Sequence, residues 1–155
     1  SSWGSALTQS ATDQVTDSIV FTEDIKVKIP NYTSKAGSRF LFQPNVFNKI
    51  TMVPPRYKNR KLPFVIERGF TDLDTYRIKL SNNLHVEAKN EPVSIQNKFG
   101  SYNLNITTSN NVINYRRELI LNKGSYSKED YHEFREFLLS IKKHDNSKIV
   151  LNTKT

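Results

Sequence analysis

One stretch constrains the fold more than any other: Ser127 to Lys143, reading Ser-Lys-Glu-Asp-Tyr-His-Glu-Phe-Arg-Glu-Phe-Leu-Leu-Ser-Ile-Lys-Lys. Tyr131, Phe134, Leu138 and Ile141 recur at helical spacing and Phe137 widens the stripe, while Lys128, Glu129, His132, Glu133, Arg135 and Glu136 take the other face. Ser127 suits the N-cap, and Asp130 follows it at the spacing of a capping box. Glu129 and Asp130 fall in the first turn and Lys142 and Lys143 in the last, as the helix dipole favours. The pattern predicts a helix over about 128–143. An aromatic stripe of this kind has to lie against something, and nearly everything before it reads as strand.

The strand signal is alternation. Ile25, Val27 and Ile29 alternate with Lys26 and Lys28 until Pro30 stops them. Asn31 to Ser38, with Gly37, is a loop, and Arg39 to Gln43 is the next strand. Phe47 to Val53 makes a poorer strand, ended by Pro54-Pro55, and Phe64 to Arg68 another. Tyr76, Ile78 and Leu80, then the turn Ser81-Asn82-Asn83, then Leu84, Val86 and Ala88 read as a hairpin. Val93 and Ile95 form a short strand. Tyr102, Leu104 and Ile106 lead through Ser109-Asn110-Asn111 into Ile113, Tyr115, Leu119 and Leu121, which share one face. Ile149 to Leu151 is the last strand. About eight or nine strands with turn signals every ten residues or so predict a mainly β fold, an antiparallel β-sandwich with one C-terminal helix. Residues 1–20 are polar with weak periodicity and read as a linker or irregular approach with room for one short helix, leaving 21–155 as a single domain. Trp3 is then a docking residue for the domain or for a neighbour.

Composition narrows the function classes. A chain of 155 residues, 36% hydrophobic and 11% aromatic, is long enough for one real core. No apolar run reaches the length of a membrane span. Cysteine is absent, which removes disulfides, thiolate metal sites and any cysteine nucleophile. The chain starts Ser-Ser-Trp, without methionine or a charged-then-apolar leader, and reads as a fragment of something longer. The net charge is +8, which suits nucleic acid, anionic lipid or an acidic partner. The positive residues are nevertheless spread out, with no basic stripe interleaved with exposed aromatics, so nucleic acid is not the favoured partner.

Few residues invite chemistry. Arg117 falls on the apolar parity of its strand, between Tyr115 and Leu119, and a guanidinium there needs a partner or a route to water. It reads either as an anion, carbonyl or partner contact or, better, as a structural ion pair with an acid such as Glu129 or Glu133 or a position at the sheet rim. The densest basic cluster, Arg56, Lys58, Arg60 and Lys61 beside Tyr57, is a candidate contact for a polyanion or partner and otherwise a solvated loop. Asp72 and Asp74 lack the further acids and the glycine of a calcium loop, and turn chemistry explains them. His85, His132 and His144 are not at metal-binding spacing. No phosphate loop, nucleophile elbow or zinc-protease motif is present, so no catalytic residue, metal or cofactor is assigned and the chain is not expected to be an enzyme by itself.

Several phrases together resemble one family. They are Tyr32 to Gly37, Arg60-Lys61-x-Pro63-Phe64, Phe70-Thr71-Asp72-x-Asp74-Thr75-Tyr76, Phe99-Gly100-x-Tyr102, Tyr115-x-Arg117, Lys123-Gly124-x-Tyr126, Asp130-Tyr131-x-x-Phe134 and Asp145-Asn146-x-Lys148. The set is similar to the C-terminal domain of unknown function that follows a transglutaminase-like core in exported bacterial proteins. The likeness runs from about Ile25 to Leu151 and departs at Ser81, where the family has proline. The resemblance implies an extracytoplasmic sandwich, periplasmic or at the cell surface, with the family's Cys-His-Asp triad in an upstream core. Its expected role is a non-catalytic accessory module that docks on that core or a partner. The alternatives are a glycan or polymer-binding module, or polyanion or nucleic-acid binding through the basic surface.

Overall fold

The computed structural model describes residues 4–9, 18–28, 39–45 and 49–153, the first two segments as backbone only. In chain order the strands are β1 (Gly4–Gln9), β2 (Ser18–Lys28), β3 (Arg39–Phe42), β4 (Phe64–Ile66), β5 (Phe70–Leu80) and β6 (Leu84–Ala88). They continue with β7 (Val93–Asn97), β8 (Gly100–Ser109), β9 (Val112–Leu121) and β10 (Gly124–Tyr126), then helix α1 (Tyr131–Asp145) and β11 (Ile149–Thr153). The expectations for Trp3, Ile29 to Ser38 and Phe47 fall outside the described residues.

A six-stranded sheet in the order β1-β2-β5-β9-β8-β7 faces a three-stranded sheet, β3-β11-β6, and β10 pairs with β4 in a short ladder. Tyr76, Ile78, Tyr102, Leu104, Ile113 and Tyr115 of the large sheet share one core with Leu84, Ile149 and Leu151 of the small one. The mainly β sandwich closed by a C-terminal helix is therefore what forms. Its strands are antiparallel apart from β2 and β5, which run parallel, Ser18 opposite Thr71 through Val27 opposite Leu80. A parallel neighbour needs a long connection, and the chain between Lys28 and Phe70, which includes β3 and β4, supplies it.

Four local expectations change. The polar N-terminal stretch contains β1 and the start of β2, because ladder hydrogen bonds do not require apolar alternation. Residues 49–53 form no strand. Leu80 and Leu84 do flank a tight turn, with Leu84 N–H donating to the Ser81 carbonyl at 3.0 Å, but β5 and β6 are not a hairpin. Both edges of β5 are taken, by β2 and β9, so the turn hands the chain to the other sheet, where β6 pairs with β11. Three-residue β10 was invisible to periodicity, which needs a longer window.

Elsewhere alternation is faithful. In β8, Tyr102, Leu104 and Ile106 are buried while Asn105 and Thr107 are exposed. The β8–β9 turn uses Asn110 and Asn111 at φ of 48° and 63°, the left-handed pair that a two-residue hairpin requires and asparagine tolerates. Gly100 opens β8 so close to β9 that an added Cβ would collide with the Ile120 carbonyl oxygen.

The helix begins with a 3-10 turn over Lys128–Asp130. The Ser127 hydroxyl donates to the Asp130 carboxylate at 3.1 Å rather than accepting from the helix backbone, so the predicted capping box is only half made. Tyr131, Phe137, Leu138 and Ile141 are buried, as the stripe requires. At the N-terminal half, Phe134 stacks on Phe64 at 5.1 Å, and Phe99 meets both Phe134 at 5.3 Å and Tyr126 at 4.8 Å edge-on, which ties the helix to the β4–β10 ladder. At the far end the Asn146 side-chain amide donates to the Lys142 carbonyl at 2.7 Å and closes the last turn.

Candidate functional site

Two places concentrate charge, and they are built alike from arginine and tyrosine. The first is inside. Arg117 on β9 lies directly opposite Asp74 on β5 in the ladder register, and its Nη1 donates to Asp74 Oδ2 at 3.0 Å. Its Nε and Nη2 fork onto Asp145 at the end of α1, at 2.6 and 2.9 Å. The Tyr102 hydroxyl adds a bond to Asp145 at 2.8 Å, and the backbone N–H of Ile50 adds another at 2.9 Å. A carboxylate at a helix C-terminus meets the negative end of the dipole. Asp145 is tolerated there because four donors converge on it.

Arg117 is 1% exposed, Asp74 1% and Asp145 0%. Burial opposes the Arg117 charge. Hydrogen bonding to Asp145, with the charges around it, outweighs that, so the guanidinium pKa rises above its ordinary value. Burial, then the charge of Asp145, also raises the pKa values of the Tyr102 and Tyr115 phenols. The centre is a structural ion pair, with Asp74 and Asp145 as its acids rather than Glu129 or Glu133.

The second place is outside. The loop after Pro54-Pro55 folds over the N-terminal half of the helix and leaves a surface pocket of about 580 Å³. Arg56, Lys58 and Arg60 line it from the loop, and Lys128 and Arg135 from the helix, with Glu129 as the one carboxylate in its wall. Three contacts pin the loop. The Tyr131 hydroxyl donates to the Pro55 carbonyl at 2.7 Å, and Arg135 Nε donates to the Pro54 carbonyl at 3.1 Å. The Arg60 guanidinium sits 4.3 Å above the Tyr131 ring, with its Nε donating to the Leu62 carbonyl at 2.9 Å.

The basic residues singled out from sequence thus divide. Arg56, Lys58 and Arg60 come together in the pocket, Lys61 is exposed beside it, and Arg117 belongs to the interior. Sequence reasoning missed Lys128 and Arg135, which it had placed only on the solvated helix face. Asp72 and Asp74 lie in β5 rather than in a turn. His132 lines the pocket, while His144 packs on Tyr102 with ring centroids 6.2 Å apart. Burial, then Lys143, lowers the pKa of His144. Among the described residues no three His, Cys, Asp or Glu side chains gather as a metal site would need.

Residues 38–151 match the model of DUF3858, a domain of unknown function with a solved structure. The chain belongs to the DUF3858 family. Both the buried centre and the basic pocket lie within the DUF3858 region, whereas β1 and β2 precede it. Among solved structures, the chain is similar to a crystal structure of a presumed protease from Parabacteroides distasonis ATCC 8503, with a TM-score of 0.54 at 19% identity. The match covers 63% of this chain and 19% of that one, and it shows the shared fold. No curated protein matches the chain.

Proposed function

We propose that this DUF3858 domain is a non-catalytic accessory module of a longer exported bacterial protein, where it docks on the transglutaminase-like core that its motifs lead one to expect upstream. The observation that carries this reading is a set of exposed large apolar side chains along residues 52–65. Met52 is 85% exposed, Leu62 71% and Val65 60%, with Tyr57 between them. Side chains of this size standing in water on one segment suit a face that a neighbour covers. The solved relative supports the same picture, since the fold there occupies 19% of a chain described as a presumed protease. The charged centre points the same way, because its guanidinium is enclosed by the domain's own acids.

Calorimetric titration of this domain with the separately expressed upstream segment, at low and moderate salt, tests the proposal. Binding that hardly changes with salt, and weakens at least about tenfold in a Met52→Asp, Leu62→Asp double variant, is expected of an apolar interface. An absence of binding at both salts would sink it.

A further inference from the structure

The basic pocket goes beyond docking. We infer that it is a binding site for a small ligand carrying two or more oxyanion groups, of the phosphate or carboxylate class. Five cationic side chains face one carboxylate in its wall. Charge alone would describe a solvated loop; the pinning does not. Arg60 and Arg135 each commit Nε to a backbone carbonyl, at Leu62 and Pro54. Those bonds fix the planes of both guanidiniums while using one N–H of the five that each carries. The closest acid to Arg135 is Glu136, whose carboxylate stands 3.9 Å away, beyond hydrogen-bond reach. Two oriented forks with donors to spare are the arrangement that recognises planar or tetrahedral oxyanions.

Size argues for more than one anionic group. About 580 Å³ falls in the range of sites for whole small ligands and far exceeds a single phosphate. The cations also enter from two elements, the loop and the helix, so a ligand spanning the pocket meets charge at both walls. Exposed Tyr57, tilted against Tyr131 with ring centroids 5.7 Å apart, gives such a ligand an apolar surface at the mouth.

The test is amide-resolved NMR titration of the domain with orthophosphate, tripolyphosphate and citrate at fixed ionic strength. Tripolyphosphate or citrate should bind at least about tenfold more tightly than orthophosphate, with shifts confined to the loop after Pro55 and the start of the helix. The stronger of the two names the oxyanion class. Arg56→Ala with Lys58→Ala should weaken that binding about tenfold or more. Arg77→Ala with Lys79→Ala, which removes the same charge from the exposed face of β5, should leave it unchanged. Equal weakening by both pairs would reduce the effect to net charge and overturn the site. So would equal affinity for all three anions, or no shifts at the pocket. None of these readouts involves the upstream segment, so the site and the docking face stand or fall separately.

Discussion

The interior centre and the surface pocket both set arginine against tyrosine, yet they do opposite things. Around Arg117 two carboxylates, one of them also held by a phenol and a backbone N–H, take the charge out of circulation. Around Arg60 and Arg135 carbonyls and aromatic faces orient the guanidiniums, and the carboxylate nearest Arg135, that of Glu136 at 3.9 Å, makes no hydrogen bond to it. The difference shows that an arginine's role is set by which acceptors reach it. One arrangement ties β5, β9 and the end of α1 into a single unit. The other leaves positive charge standing on a fixed frame.

The sharpest way to break this contrast is Arg117→Met. It strands two carboxylates in the core, and unfolding free energy measured by urea denaturation should fall by ~3–5 kcal/mol. A loss under ~1 kcal/mol would mean that water reaches Asp74 and Asp145 and the centre is not closed. Alkali probes the same place more gently. The raised pKa values of Tyr102 and Tyr115 mean that the folded state keeps protons which the unfolded chain loses above the ordinary tyrosine value of 10.0. The unfolded state then binds fewer protons, so stability is full below that pH and falls as pH rises past it. Each retained phenol costs about 1.4 kcal/mol per pH unit, and tyrosinate absorbance should appear together with unfolding rather than before it. Tyr102→Phe should halve that slope and, at neutral pH, cost ~1.5–3 kcal/mol for the lost bond to a charged acceptor. An unchanged slope would place the alkaline transition elsewhere.

How far these places were legible in the sequence follows from the range of the interactions. The parity of Arg117 among Tyr115 and Leu119 marked it as inward, because strand alternation is local. Its partners lie 43 and 28 residues away, and nothing local pointed to them. Turn chemistry accounts for Asp74 only if the strand begins with the alternation at Tyr76, whereas β5 starts at Phe70. Asp145 is the last residue of the helix, where the dipole makes a buried carboxylate least expected. The pocket was half visible. The cationic loop stands out in the chain, but Arg135 enters through the fold of Pro54-Pro55 onto the helix, a contact 81 residues apart. The helix and the hairpin of β8 and β9 were plain for the opposite reason, since their signals lie in adjacent turns.

Arg60→Ala sits at the small end of the stability scale and is the variant that separates the two roles best. It removes the stacking on Tyr131 and the bond to Leu62, both at a partly exposed position. A surface cation–π contact is worth about 0.5–1 kcal/mol and an exposed hydrogen bond about as much, so urea unfolding should shift by no more than about 2 kcal/mol. Arg56→Ala, which breaks no hydrogen bond or ion pair among the described residues, should stay within about 0.5 kcal/mol of the parent. If Arg60→Ala instead cost as much as Arg117→Met, Arg60 would be a structural keystone and the pocket would be a by-product of loop packing. If both surface variants barely change stability while weakening tripolyphosphate or citrate binding, the fold has kept these charges without needing them for itself. Positive side chains that repel one another, held in place by carbonyls and rings, are then maintained by what they bind.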